Sequence, residues 1–123
     1  MAIAYFGSNG YVVSVPLNDT QDYDLVVDKD GKLQKVQVKG TNRRGTGNAY
    51  TIGLRTISGT TRQAYKTVID TDVDLLFCLC GDCKMYLIPK EDVANRCEIN
   101  LSKEKSKYSK KLSQSYERYV VTM

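Results

Sequence analysis

The chain contains no histidine, which narrows its metal chemistry at once. Any zinc site would rest on Cys78, Cys80, Cys83 and Cys97, and the spacing in "FCLCGDCKMY" is loose against the paired CxxC arrangement of zinc-binding chains. No apolar run is long enough to cross a bilayer. The opening "MAIAYFGSNGYVVSV" lacks the basic, apolar, then small pattern of a signal peptide, so an intracellular protein without disulfides is expected. No repeat and no Pro/Gly/Ser-rich linker divides the 123 residues, and 41% hydrophobic content suits a single core. Acidic residues are missing altogether between positions 41 and 69.

That gap gives the net charge of +4 its shape. Residues 1–40 carry four basic and five acidic groups, 41–69 five and none, 70–101 three and seven, and 102–123 six and two. Two basic blocks therefore flank an acidic one, a distribution that holds a polyanion along one surface or simply solvates two faces.

Helical spacing in "AIAYFGSN" places Ala2, Ile3 and Phe6 on one face and ends at Gly10, so the segment reads as the last turns of a helix that starts before Met1. "YVVSVP", "YDLVVD", "KLQKVQVKG", "AYTIGLRTI", "VDLLFCLC", "KMYLIP" and "CEINL" read as strands. The two cysteine-bearing strands meet at Gly81-Asp82, which makes Cys78 and Cys80 small buried thiols on one face as the alternative to zinc. "GTTRQAYKTVIDTD" suits a short helix and a turn, and "EDVANR" a helical turn. The tail over 102–123 suits a basic helix or an arm appended to a core of residues 1–101, serving DNA contact or oligomerisation.

Asp30-Gly31 is a strong two-residue hairpin turn. With Lys29 opposite Lys32, Asp24 falls opposite Gln37 and Asp22 opposite Lys39, while Gln37 and Lys39 share a face. A carboxylate, an amide oxygen and the Val38 backbone carbonyl make an oxygen-only set suited to Mg²⁺, beside an amine that can orient water or neutralise phosphate charge. A surface cluster without function has the same composition.

At these residues the chain resembles the PD-(D/E)XK nuclease superfamily, most closely its group I intron-encoded homing endonucleases and more distantly archaeal Holliday-junction resolvases. The resemblance runs through Asn9-Gly10-Tyr11, Val13, Pro16, Asp19, Tyr23 to Asp28, Val36 to Lys39, Val73-Asp74 and Tyr86 to Pro89, and covers roughly residues 2–90. It implies a restriction-endonuclease-like α/β (α+β) core, a mixed β-sheet flanked by helices in the order αβββ(α)β with extra strands. It also implies a Mg²⁺-dependent DNA endonuclease, with Mn²⁺ able to substitute, in the cytoplasm of a prokaryote or phage-infected host, or in an organelle.

Carried over, Asp24, Gln37 and Lys39 are the catalytic residues, and Asp24, Gln37 and the Val38 carbonyl hold the metal. Gln37 stands where the superfamily usually has an acid, and the usual first-helix Glu is not among these residues, so either it lies upstream of Met1 or another acid substitutes, Asp22 and Asp19 being the nearest. Double-stranded DNA would be held by Asn42, Arg43, Arg44, Arg55, Arg62, Gln63, Lys66, Lys110 and Lys111, with a homodimer or homotetramer extending the contact. The alternatives are a junction resolvase, a weak or inactive DNA-binding domain of the same fold, and a zinc-stapled interaction module.

Overall fold

A computed structural model describes residues 1–45, 48–57, 65–102 and 116–123. Its centre is a six-stranded sheet in the order β1-β2-β3-β7-β8-β10, from Val12–Ser14 (β1), Leu25–Lys29 (β2), Lys32–Thr41 (β3), Leu75–Cys80 (β7), Met85–Pro89 (β8) and Val120–Val121 (β10). Tyr50–Gly53 (β4) pairs with Glu98–Leu101 (β9), and Thr56–Ile57 (β5) with Tyr65–Lys66 (β6), as two small separate sheets. A single α-helix, Ala2–Ser8 (α1), is found among the described residues. The expected mixed α+β architecture is therefore the one observed.

The β2–β3 hairpin forms as its turn residues dictate. Asp30 and Gly31 both take positive φ, 55° and 79°, the twist that matches two flanking right-handed strands. The register runs from Lys29↔Lys32 to Leu25↔Val36, as the turn predicts. β3 then pairs in parallel with β7, from Val36↔Leu75 to Thr41↔Cys80. A parallel pair needs a crossover, and among the described residues this one carries β4, β5, β6 and a 3-10 turn at Val68–Asp70 rather than an α-helix. Residues 59–64 of the segment read as helix and turn lie outside the described residues.

Alternation sends the two faces of β3 to different cores. Val36 and Val38 turn toward α1, where Tyr5, Phe6, Leu25, Val27 and Phe77 close one cluster. Phe77 sits 5.6 Å from the Tyr5 ring and 5.9 Å from the Phe6 ring. Ile3 does not join them: it is 56% exposed, because the i, i+3, i+4 stripe that meets the sheet is Ala2, Tyr5 and Phe6. The other face of β7 and β8 buries Leu76, Cys78, Cys80, Tyr86 and Ile88 beneath Tyr50, Ile52, Ile99 and Leu101 of the β4–β9 pair.

"AYTIGLRTI" is two strands, not one. The break falls after Leu54, which is buried and whose N–H to the Cys97 carbonyl, at 2.8 Å, is the last bond in register with the β4–β9 ladder. The chain's end also departs from a simple helix or arm. Residues 103–115 lie outside the described residues, but Tyr116–Tyr119 forms a 3-10 turn and Val120–Val121 closes the edge of the central sheet against Tyr86 and Met85. Glu117 anchors that return, accepting from the Tyr86 hydroxyl at 3.0 Å and pairing with Lys84 at 2.6 Å.

The cysteines are free and dispersed: Cys78 and Cys80 are buried, Cys83 is exposed and Cys97 is half-buried. No three metal-ligating His, Cys, Asp or Glu side chains come together among the described residues, so a zinc staple has no support here. Burial pushes the Cys78 thiol well above its ordinary range, and burial with the nearby Asp82 pushes Cys80 up to about 11. Thiolate is the reactive form, so alkylation of the native protein at pH 8 should label Cys83 first and Cys97 more slowly, sparing Cys78 and Cys80 until unfolding. Mass spectrometry of labelled peptides checks this; rapid native labelling of Cys78 would contradict the buried placement.

Candidate active site

The regular β2–β3 ladder stops at Leu25, one residue short of Asp24. There the Asp24 N–H turns inward and donates to the Val36 carbonyl at 2.8 Å, so two successive residues lean on the position opposite Leu25, as in a β-bulge. Asp24 is consequently not squarely opposite Gln37. Its carboxylate instead bends across to β3 and accepts the Val38 N–H at 2.7 Å. A short acidic side chain just outside a strand is well suited to capture such a backbone donor. Within extended backbone the N–H and C=O of one residue point the same way, so the Val38 carbonyl also faces the Asp24 edge.

Gln37 lies on the other face from Val36 and Val38, and only 8% of it is exposed. Its amide nitrogen donates to the Asp22 carbonyl at 3.2 Å, which leaves the oxygen as the end it can offer to a cation. Asp22 does not meet Lys39 as the turn's register alone implied. The bulge at Asp24 re-aims the preceding segment, and the Asp22 carboxylate pairs with Lys66 of β6 at 2.7 Å, the two side chains being 22% and 31% exposed.

Lys39 stands one strand period beyond Gln37 on the same face, half-buried, with Cys78 as its partner on β7. Its side chain borders a shallow depression of about 300 Å³, also lined by Gly40, Thr41, Arg43, Thr51, Ile52 and Gly53. This hollow lies at the carboxyl end of β3, where open sheets with parallel strands commonly receive ligands.

The proposed DNA-contact residues divide into several kinds. Arg43 is exposed beside the depression, its backbone fixed through Thr41 and Thr51 and its guanidinium 3.3 Å from Glu98. Arg44 is exposed but already engaged: it donates to the Asn48 carbonyl and the Tyr50 hydroxyl, at 2.8 and 2.7 Å, and stacks 3.9 Å above the Tyr50 ring. Asn42 and Arg55 are exposed. Lys66 is taken up by Asp22, while Arg62, Gln63, Lys110 and Lys111 lie outside the described residues.

Sequence reasoning misplaced Asp22 and passed over Thr51. Asp22 contributes through its backbone carbonyl, which no side-chain pattern reveals, and through an ion pair spanning 44 positions. Thr51 holds the Thr41 hydroxyl through its carbonyl and the Arg43 carbonyl through its N–H.

The donor set suits a hard divalent cation. The Asp24 carboxylate, the Gln37 amide oxygen and the Val38 carbonyl are all oxygen, and the observed Asp24 to Val38 hydrogen bond already brings two of the three residues together. With one formal negative charge among them, such a site leaves most of the coordination shell to water and phosphate oxygens.

Comparison with known proteins identifies the family and the fold. A family model described as PD-(D/E)XK endonuclease matches residues 1–120. Protein 5.3 of Escherichia phage T7 is 43% identical over 79 residues, a stretch amounting to 62% of each chain and so less than two thirds of the phage protein. The solved structure of I-Ssp6803I, a bacterial homing endonuclease, superposes with a TM-score of 0.76 at 27% identity, covering 97% of this chain and 80% of that one.

Replacing Asp24 removes the acceptor for the Val38 N–H. Asp24→Ala should cost about 1 kcal/mol in urea unfolding, and Asp24→Asn, whose amide oxygen still accepts, should recover most of it. Equal loss in both variants would show that the contact with Val38 contributes little.

Proposed function

This chain belongs to the PD-(D/E)XK endonuclease family, and on that premise we propose that it is a Mg²⁺-dependent endonuclease hydrolysing phosphodiester bonds of double-stranded DNA. The observation that carries the reading is the Asp24 carboxylate accepting the N–H of Val38, the residue between Gln37 and Lys39 in the chain, with Lys39 at the lip of a basic hollow. The likeness to a homing endonuclease supports site-specific rather than indiscriminate cutting. A small domain covers few base pairs, so a homodimer or homotetramer is part of the proposal.

Asp24, the Gln37 oxygen and the Val38 carbonyl would hold the cation. Mg²⁺ supplies charge that polarises a phosphoryl oxygen and acidifies water. Lys39, fixed on the part of β3 that pairs with β7, places a cationic amine where negative charge develops on the phosphate and keeps it there without reorganisation. Arg43 grips a neighbouring phosphate across the hollow, and Gly40 and Gly53 leave two stretches of its wall without side chains, so the sugar–phosphate backbone can approach closely. Asn42, exposed and next to Arg43 in the chain, has both donor and acceptor groups for a base.

One observation favours a second reading, DNA binding with little or no cleavage. Gln37 brings no charge, and α1, "AIAYFGS", carries no carboxylate to add one.

Nicking of supercoiled plasmid in Mg²⁺ or Mn²⁺ separates the two. Metal-dependent nicking is expected from the wild type, falling by roughly 10²–10³-fold in Asp24→Ala and in Lys39→Ala. Cleavage that survives both substitutions would exclude this site, and tight DNA binding with no cleavage by the wild type would establish the second reading. In the same system, Arg43→Gln should weaken binding to all sequences alike and reduce the slope of log affinity against log salt by about 1. An unchanged slope would remove Arg43 from the phosphate contacts.

A further inference from the structure

The neutral residue at position 37 is usually the weak point of such a site, because an amide attracts a cation less than a carboxylate does. Its surroundings give a reason for it. The Gln37 nitrogen sits 3.2 Å from the Asp22 carbonyl, an acceptor with no proton to give. A carboxylate in the same place would be acceptor against acceptor, in a position only 8% exposed. The carbonyl is not free to swing away, because the side chain of the same residue is pinned to Lys66 at 2.7 Å and the chain two residues on is tied to β3 by both Asp24 contacts.

We infer that position 37 is built to accept an amide and to refuse a carboxylate, and that the Asp22–Lys66 ion pair is the positioning device that enforces this choice. Lys66 then serves as a positioning residue acting through Asp22 rather than as a DNA contact. It fixes the segment whose carbonyl orients the Gln37 amide, leaving the oxygen end as the cation's ligand. This last consequence rests on the metal site proposed above, whereas the preference for an amide does not.

The test uses the intact protein, with thermal unfolding and calorimetric titration of Mn²⁺ as readouts. Melting temperature should fall in the order wild type, Gln37→Met, Gln37→Glu, because the first change removes the hydrogen bond and the second also opposes two acceptors. The loss in Gln37→Glu should be about 3–8 °C. Despite its added charge, Gln37→Glu should bind Mn²⁺ no more tightly than the wild type. Lys66→Met should weaken Mn²⁺ binding several-fold and Lys66→Arg should restore it, while in melting temperature, without metal, the effects of Lys66→Met and Gln37→Met should be non-additive.

A Gln37→Met protein as stable as the wild type, or a Gln37→Glu protein that melts with the wild type and binds Mn²⁺ tenfold more tightly, would overturn the inference. Should Gln37→Glu fail to fold, the position of Gln37→Met and its coupling to Lys66 decide in its place. Wild-type protein that binds no Mn²⁺ while the stability order and the coupling hold would refute the metal site and leave the amide preference standing.

Discussion

The constraint on which the structure turns is a register. Two residues with positive φ, Asp30 and Gly31, fold the chain back so that Lys29 meets Lys32, and every side chain of β3 is thereby assigned to a face. A slip of one position would carry Gln37 and Lys39 under α1 and put Val36 and Val38 on the side of the β4–β9 pair. The hydrophobic cluster around Phe6 and Phe77 resists that slip, since it needs Val36 and Val38 where they are. Stability and site geometry are thus specified by the same alternation.

β3 is also the strand that joins the two halves of the sheet. On one edge it is antiparallel to β2, and on the other parallel to β7. The antiparallel edge breaks where the site lies, and the break is what frees Asp24 to turn its carboxylate onto the Val38 backbone. The parallel edge continues to Thr41, holding Lys39 in a stiff frame next to the hollow. Regular pairing supplies rigidity, and the single irregularity supplies the exposed carboxylate. β-Bulges are over-represented next to active sites, and the proposed site lies at this one.

Much of this was legible in the residues. Asp-Gly between two alternating runs announced the hairpin, its register and the shared face of Gln37 and Lys39, because a two-residue turn leaves no freedom in the pairing. The strands carrying Cys78, Cys80 and Tyr86 were equally plain from their apolar runs. What escaped depended on contacts distant in sequence or on backbone atoms. Asp22 could be placed only by knowing that Lys66 arrives beside it, and Ile3 only by knowing which stripe of α1 the sheet would cover. Val120–Val121 is two residues long, too short for any periodicity to declare it a strand. The pattern drew attention to Asp24, but its expected place opposite Gln37 assumed an unbroken ladder, and the break comes from a backbone N–H that no side-chain pattern reports.

The central claim is that Asp24, Gln37 and Val38 form one oxygen-lined cation site. Anomalous diffraction from crystals soaked in Mn²⁺ tests it most directly. The account predicts a peak at about 2.0–2.3 Å from the Asp24 carboxylate and the Val38 carbonyl, with the Gln37 oxygen in or next to the shell. A manganese ion bound elsewhere on the protein, with these three residues coordinating nothing, would contradict it.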